Sequence, residues 1–197
     1  MFIIDISYID YTYVPKQVID FINKNGLYAA HRVEIKNSHE RYEHCLRVAY
    51  MASELAKIYD DKLIQKAHVA GIYHDIAKDM PEAEQERIAK DILNIKDYVS
   101  WKVLHPYIGE YLLKNDFAFE DSEILQAIAR HTLPFDYYDS EPTLLDKIIY
   151  VSDKLEPNRT DEDVFLKPIK YYRELVLTDI DKCFIELYED LQSGLNK

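Results

Sequence analysis

Six residues of types that hold divalent metals recur along this chain: His44, His74, Asp75, His105, His131 and Asp153. Imidazole and carboxylate are the donors that a first-row divalent cation takes. Six such groups exceed the needs of one four-coordinate ion and suit two ions with one carboxylate bridging. Two metals about 3.5–4 Å apart clamp a phosphoryl group and generate hydroxide near neutral pH. His74 and Asp75 are adjacent, and Lys78 follows the histidine by four residues, within reach of a phosphate held there.

A lone histidine on an apolar face is more often a satisfied core residue, so no single member of this set argues for metal. His31, His39 and His68 receive no role. The conjunction carries the reading, because each of the six falls on, or at the end of, the apolar stripe of a helix. Residues 40–59 place His44, Val48, Ala52 and Leu55 at i, i+4, i+8 and i+11. Asp60-Asp61 restarts the chain, and Leu63, Ala67, Ala70/Gly71 and His74 repeat the pattern. Pro81, with Glu82 and Glu84 behind it, opens a short helix. Residues 100–114 align His105, Gly109 and Leu112. Asp121 caps a helix in which Ile124, Ala127/Ile128 and His131 align. Thr143 and Asp146 open another that carries Ile149 and Asp153. Residues 167–192 form one or two amphipathic helices, with breaks suggested at Pro168 and Thr178-Asp179.

The rest of the chain is simpler. Residues 1–14 are apolar and partly alternating, as a short strand or an irregular arm would be. Pro15 begins a helix with Val18, Ile19 and Ile22, which ends at Asn25-Gly26. Residues 132–143, with two prolines and three acids, read as a loop. With only 4 glycines and 7 prolines in 197 residues, the fold expected is all-α, a compact bundle of about seven to nine helices. The expected division is an N-terminal arm and short helix at 1–37 and a metal-dependent domain at 38–197.

A net charge of −12 disfavours nucleic acid as a partner but leaves a phosphorylated small molecule open, because bound cations reverse the local sign. The two cysteines, Cys45 and Cys183, make no disulfide framework. No apolar run approaches a membrane span and no export signal is visible, so the expectation is a cytoplasmic protein without membrane contact. Its 17 tyrosines are packing residues whose faces offer a surface for a homodimer.

The order His44, His74-Asp75, Asp153 resembles the HD-domain phosphohydrolases, and His105 and His131 resemble the additions of their two-metal branch. Five strings go further: Arg41-Tyr42-Glu43-His44, His74-Asp75-Ile76-Ala77-Lys78, Leu104-His105-Pro106, Ala129-Arg130-His131-Thr132, and Tyr150 through Arg159. Together they resemble the YqeK family of symmetrical bis(5′-nucleosyl)-tetraphosphatases over roughly residues 38–190. That resemblance implies cleavage of diadenosine tetraphosphate into two ADP, with iron as the metal. His44, His74, Asp75 and Asp153 would hold one ion. Asp75, His105 and His131 would hold the other, with Asp75 as the bridge. Arg41, Lys78, Thr132 and Arg159 would contact the nucleotide, and Asp75 and Lys78 would carry the catalysis. The same donors accept Mn, Co, Ni or Zn.

Spacing supports these contacts unevenly. Arg41 precedes His44 by three residues and shares its face, where a guanidinium can grip phosphate bidentately. The bland reading of Arg41 and Lys78 is a surface salt bridge. The direction of Arg159, after a turn, does not follow from spacing. Gly109 permits close approach of a ligand or, equally, of a helix. Two positions depart from the family pattern: Arg47 replaces a small residue, and the loop after Thr132 is acidic and lacks a glycine. The expected reaction is in-line attack at the phosphorus that yields two nucleoside diphosphates, with Lys78 and Arg41 on the growing charge.

Other readings stay open. One is a different HD hydrolase, either a nucleotidase or a guanosine tetra/pentaphosphate hydrolase. A cyclic-dinucleotide phosphodiesterase is disfavoured, because no Gly-Tyr-Pro follows the metal motif. A metal-containing regulatory module that binds nucleotide without turnover is another. Finally, the run Val14-Pro15-Lys16-Gln17-Val18 through Gly26-Leu27-Tyr28 resembles the C-terminal end of nicotinate-nucleotide adenylyltransferases, which suggests a link to pyridine-nucleotide biosynthesis.

Overall fold

The computed structural model describes residues 14–136, 138–160 and 166–195, and these are helical, with no strand among them. The helices are α1 (Lys16–Lys24), α2 (Ala29–Lys36), α3 (His39–Tyr59), α4 (Ile64–Tyr73) and α5 (Glu82–Arg87), then α6 (His105–Asp116), α7 (Ser122–Arg130), α8 (Leu144–Leu155), α9 (Ile169–Leu175) and α10 (Ile180–Leu195). The all-α expectation holds. The ten helices among the described residues exceed the expected number because 29–36 forms one of its own. The strand or arm expected at 1–14 lies, up to residue 13, outside the described residues.

The starts expected from short polar side chains are built as such. Asp121 Oδ1 accepts from the amides of Glu123 and Ile124 at 3.1 and 3.3 Å. At α8, Thr143 Oγ1 accepts from Asp146 N at 3.3 Å while Asp146 Oδ2 accepts from Thr143 N at 2.8 Å, a reciprocal capping box. The tail breaks at Thr178-Asp179 into α9 and α10.

Helix α4 is the centre of the bundle, packed on α2, α3, α7 and α8. It meets α3 at Gly71, where a Cβ would sit 2.5 Å from Ala49 Cα and 2.9 Å from Ala49 N. Only a glycine lets these backbones approach so far, and that approach sets the distance between His44 on α3 and His74 at the end of α4. Gly109 differs: its would-be Cβ lies 3.4 Å from Ile128 Cγ2 and 3.5 Å from Ile76 Cγ2, ordinary contact distances, so close packing does not require a glycine there. Gly71→Ala is expected to cost about 3 kcal/mol, the upper end for overpacking, because backbone rather than a movable side chain stands in the way. A urea melt reads this as a lower midpoint at unchanged slope.

The N-terminal helices dock on this core through a buried cation. Arg32 donates to Tyr73 Oη at 3.0 Å and lies 4.6 Å from the centre of the Phe117 ring. No helix among the described residues is long and apolar enough to cross a membrane.

Candidate metal centre

The core helices deliver their polar ends to one place. His44 projects from α3, His74 and Asp75 end α4, His105 begins α6, His131 ends α7, and Asp153 lies in the last turns of α8. All six are buried. His31, His39 and His68 are exposed and stand apart from this cluster.

Three of the four histidines are oriented identically. Each directs Nδ1 to the carbonyl three residues earlier: His74 to Gly71 O at 2.8 Å, His105 to Lys102 O at 2.8 Å, and His131 to Ile128 O at 2.7 Å. A carbonyl only accepts, so Nδ1 carries the proton and Nε2 presents a lone pair. Burial lowers the pKa of His105 and takes that of His131 down to about 3, which keeps both rings neutral. Their Nε2 atoms nevertheless lie 3.0 Å apart, and 3.1 and 3.3 Å from Asp75 Oδ1. Acceptors face acceptors around a carboxylate, an arrangement that a cation satisfies.

The other oxygen of Asp75 faces a different pair. Oδ2 is 3.5 Å from His74 Nε2 and 3.8 Å from His44 Nε2, and Asp153 Oδ1 lies 3.7 and 3.1 Å from the same two atoms. His74 Nε2 is buried with no hydrogen-bond partner. Burial disfavours charge on His74, but Asp75 and Asp153 outweigh it and take its pKa up to about 9. Both carboxylates lie well below their usual range; burial opposes this, and the surrounding histidines, with Lys154 beside Asp153, prevail. The environment therefore demands positive charge. The donor set, the neutral imidazoles of His105 and His131 and the orphaned His74 Nε2 fit a divalent metal. One ligand atom from each of His44, His74 and Asp153, and likewise from His74, Asp75 and His131, lies within 4.8 Å of the others in its group.

Cations surround the centre. Arg41 donates to Asp75 Oδ2 at 2.7 Å, and Arg159 folds back on its own helix end, giving Nε to Asp153 O at 3.0 Å and Nη2 to Asp153 Oδ1 at 3.1 Å. Lys78 Nζ lies 3.3 Å from both ring nitrogens of His105, and burial lowers its pKa. Thr132 Oγ1 is 3.5 Å from His105 Nε2. Every site residue expected from sequence is thus at or beside the cluster. Arg41, Arg47 and Arg159 also line an open polar cleft of about 620 Å³ that reaches His44.

Side chains to which the sequence reading gave no role also reach the centre. Lys154 Nζ holds Asp153 Oδ2 at 2.7 Å, and Glu156 receives Arg47 Nε at 2.8 Å and faces His44 Nδ1 at 3.2 Å. Burial opposes ionisation of Glu156, but His44 and Arg47 take its pKa down to about 2. Glu156 follows Asp153 by three residues and Arg47 follows His44 by three, so the same spacing rule that paired Arg41 with His44 reaches both. Arg173 of α9 ties the turn that carries Glu156 and Arg159 through the carbonyls of Leu155, Glu156 and Arg159 at 3.0, 2.6 and 3.0 Å. The loop after Thr132 is pinned by buried Arg130, which donates to Ser140 O, and by Phe135 against Tyr188 of α10. Leu133 and Asp136 of that loop line a cavity of about 210 Å³ with Tyr98 and Tyr107.

Residues 41–158 match the model of the HD domain family. A probable nicotinate-nucleotide adenylyltransferase/Ap4A hydrolase of Mycoplasma genitalium is 43% identical over 76% of this chain, which spans 41% of that protein. The symmetrical bis(5′-nucleosyl)-tetraphosphatase of Bacillus subtilis is 33% identical over 80% of each chain. The crystal structure of a predicted HD superfamily hydrolase involved in NAD metabolism, from Clostridium acetobutylicum, superposes with a TM-score of 0.66 over 90% of this chain and 85% of the other, at 26% identity.

Proposed function

The chain belongs to the HD-domain family, in its YqeK branch, and from that premise we propose a two-metal hydrolase that cleaves dinucleoside tetraphosphates symmetrically into two nucleoside diphosphates. The observation that supports this best is the division of Asp75. Its Oδ1 serves His105 and His131, and its Oδ2 serves His44 and His74, as a bridging carboxylate would. In this reading His44, His74, Asp75 and Asp153 hold one ion, and Asp75, His105 and His131 hold the second. Divalent metals held there, iron first and Mn, Co, Ni or Zn as alternatives, would supply Lewis acidity toward a phosphate.

The protein's own residues do the rest. Arg41 and Arg159 reach phosphate oxygens from the cleft, as planar forks suited to two oxygens at once. Lys78 places a partly buried ammonium beside the second-metal histidines, where charge grows on the transferred and leaving oxygens. Thr132 offers a hydroxyl at the same end. The neutral imidazoles of His105 and His131 stay oriented by their carbonyls throughout.

Residues 38–197 form the catalytic unit in this proposal, and 1–37 an arm whose described part docks on it. The setting is the cytoplasm, consistent with Cys45 and Cys183, which are unpaired and buried. Association into a homodimer through tyrosine-bearing faces is testable by sedimentation. A second reading, favoured by the double name of the mycoplasma relative, links residues 14–28 to nicotinate-nucleotide chemistry. It requires measurable affinity for a nicotinate nucleotide, and absence of binding discards it.

The substrate proposal is tested by incubating metal-loaded protein with a panel of diadenosine tetraphosphate, guanosine tetra- and pentaphosphate and nucleoside monophosphates. The expected result is ADP as the single product from the dinucleotide and slow turnover of the others. AMP with ATP, or preference for the guanosine compounds, overturns it.

A further inference from the structure

His44 differs from the other three histidines in what holds it. They are oriented by backbone carbonyls three residues earlier in the chain, whereas His44 Nδ1 faces the Oε1 of Glu156, at the end of a different helix, at 3.2 Å. That carboxylate is itself fixed on its second oxygen, which accepts Arg47 Nε at 2.8 Å and the Asn158 amide at 2.8 Å. Glu156 is 2% exposed, at the end of α8 and three residues beyond Asp153. Arg47 is one turn beyond His44 on α3 and lines the open cleft. The chain Arg47–Glu156–His44 therefore runs from the cleft wall to the back of a ligand imidazole, tying α3 to α8.

We propose that Glu156 is the positioning residue for His44, fixing its ring so that Nε2 faces Asp75 and Asp153, and that Arg47 buttresses Glu156 in that task. Two things follow physically. A carboxylate accepting Nδ1–H sets the tautomer that leaves Nε2 as the ligand atom, and it donates more electron density to the ring than a carbonyl does. The pair also crosses between helices, so the angle of His44 depends on α3 and α8 keeping register, where the other histidines are held by a carbonyl only three residues away in the chain. Arg47 lies on the Nδ1 side of His44, which assigns it to Glu156 rather than to the ligand oxygens.

This inference rests on the metal-centre reading above, and the test separates the two. Wild type, Glu156→Gln, Arg47→Ala and the double variant, each as the full chain stripped by chelator, are titrated with Mn(II) under electron paramagnetic resonance. Thermal melts run in parallel. Glutamine keeps the size and the hydrogen-bonding oxygen but removes the charge. Glu156→Gln is expected to weaken Mn(II) binding by roughly 10- to 100-fold, as loss of an outer partner of a ligating histidine does. Arg47→Ala should weaken it less, and the double variant should bind no worse than Glu156→Gln alone, because both changes act through one carboxylate. Mn(II) affinity unchanged in Glu156→Gln, with only a lower melting temperature, gives Glu156 a purely structural role and overturns the proposal. Additive losses in the double variant overturn the part given to Arg47. A wild type that binds no Mn(II) overturns the metal-centre reading itself.

Discussion

Replacing Asp75 with alanine is expected to remove bound metal and catalytic turnover together while the helical fold persists. The carboxylate serves four Nε2 atoms from two oxygens at 3.1–3.8 Å, so its loss breaks both halves of the centre at once. Loss of metal-derived stabilisation, several kcal/mol, corresponds to a drop of at least about 10³-fold in kcat/KM, since each 1.36 kcal/mol is tenfold. The fold should survive, because Asp75 contributes no apolar packing and its removal leaves partly exposed Arg41 able to reach water. Elemental analysis, far-UV circular dichroism and turnover on one preparation check this. An Asp75→Ala protein that keeps metal and activity would sink the site.

The second large effect belongs to Lys78. Alanine there should lower kcat by about 10²–10³-fold, the range for losing one preorganised charge donor, with metal content nearly unchanged because Lys78 is no ligand. Arginine should rescue poorly, since the ammonium lies against the face of His105, at 3.3 Å from both ring nitrogens, where a wide planar fork does not fit. A pH dependence follows with a definite sign. Burial lowers the pKa of Lys78 from its ordinary value, and the charged form is the useful one. Activity should therefore fall as pH rises through that lowered pKa, and this alkaline limb should vanish in Lys78→Ala. A limb that survives the substitution assigns it to another group.

Much of this candidate site was legible in the sequence, because helix periodicity is a strong signal and the candidate ligands sit on apolar stripes. His44, Val48, Ala52 and Leu55 line one buried face of α3 as their spacing requires, apart from the polar tip of His44 turned to the centre. Other features were hidden for physical reasons. Helix α2 buries Ala29, Arg32 and Val33, so a cation occupies one of its core positions and blurs the pattern. Arg159 follows a turn, and its return onto Asp153 depends on Arg173, fourteen residues later, holding that turn. Gly71 stood in the periodic pattern without announcing that Ala49 would press against it. Glu156 was within reach of the spacing rule, yet its role needed His44 and Arg47 to be seen from the opposite helix.

The central claim is a two-metal centre pivoted on one carboxylate. Anomalous diffraction from crystals of the anaerobically purified protein, measured at the iron absorption edge, tests it most directly. The expected map has two peaks about 3.5–4 Å apart. One should lie between Asp75 Oδ2, His44, His74 and Asp153, and the other between Asp75 Oδ1, His105 and His131. A single peak, or two peaks not shared by Asp75, contradicts it.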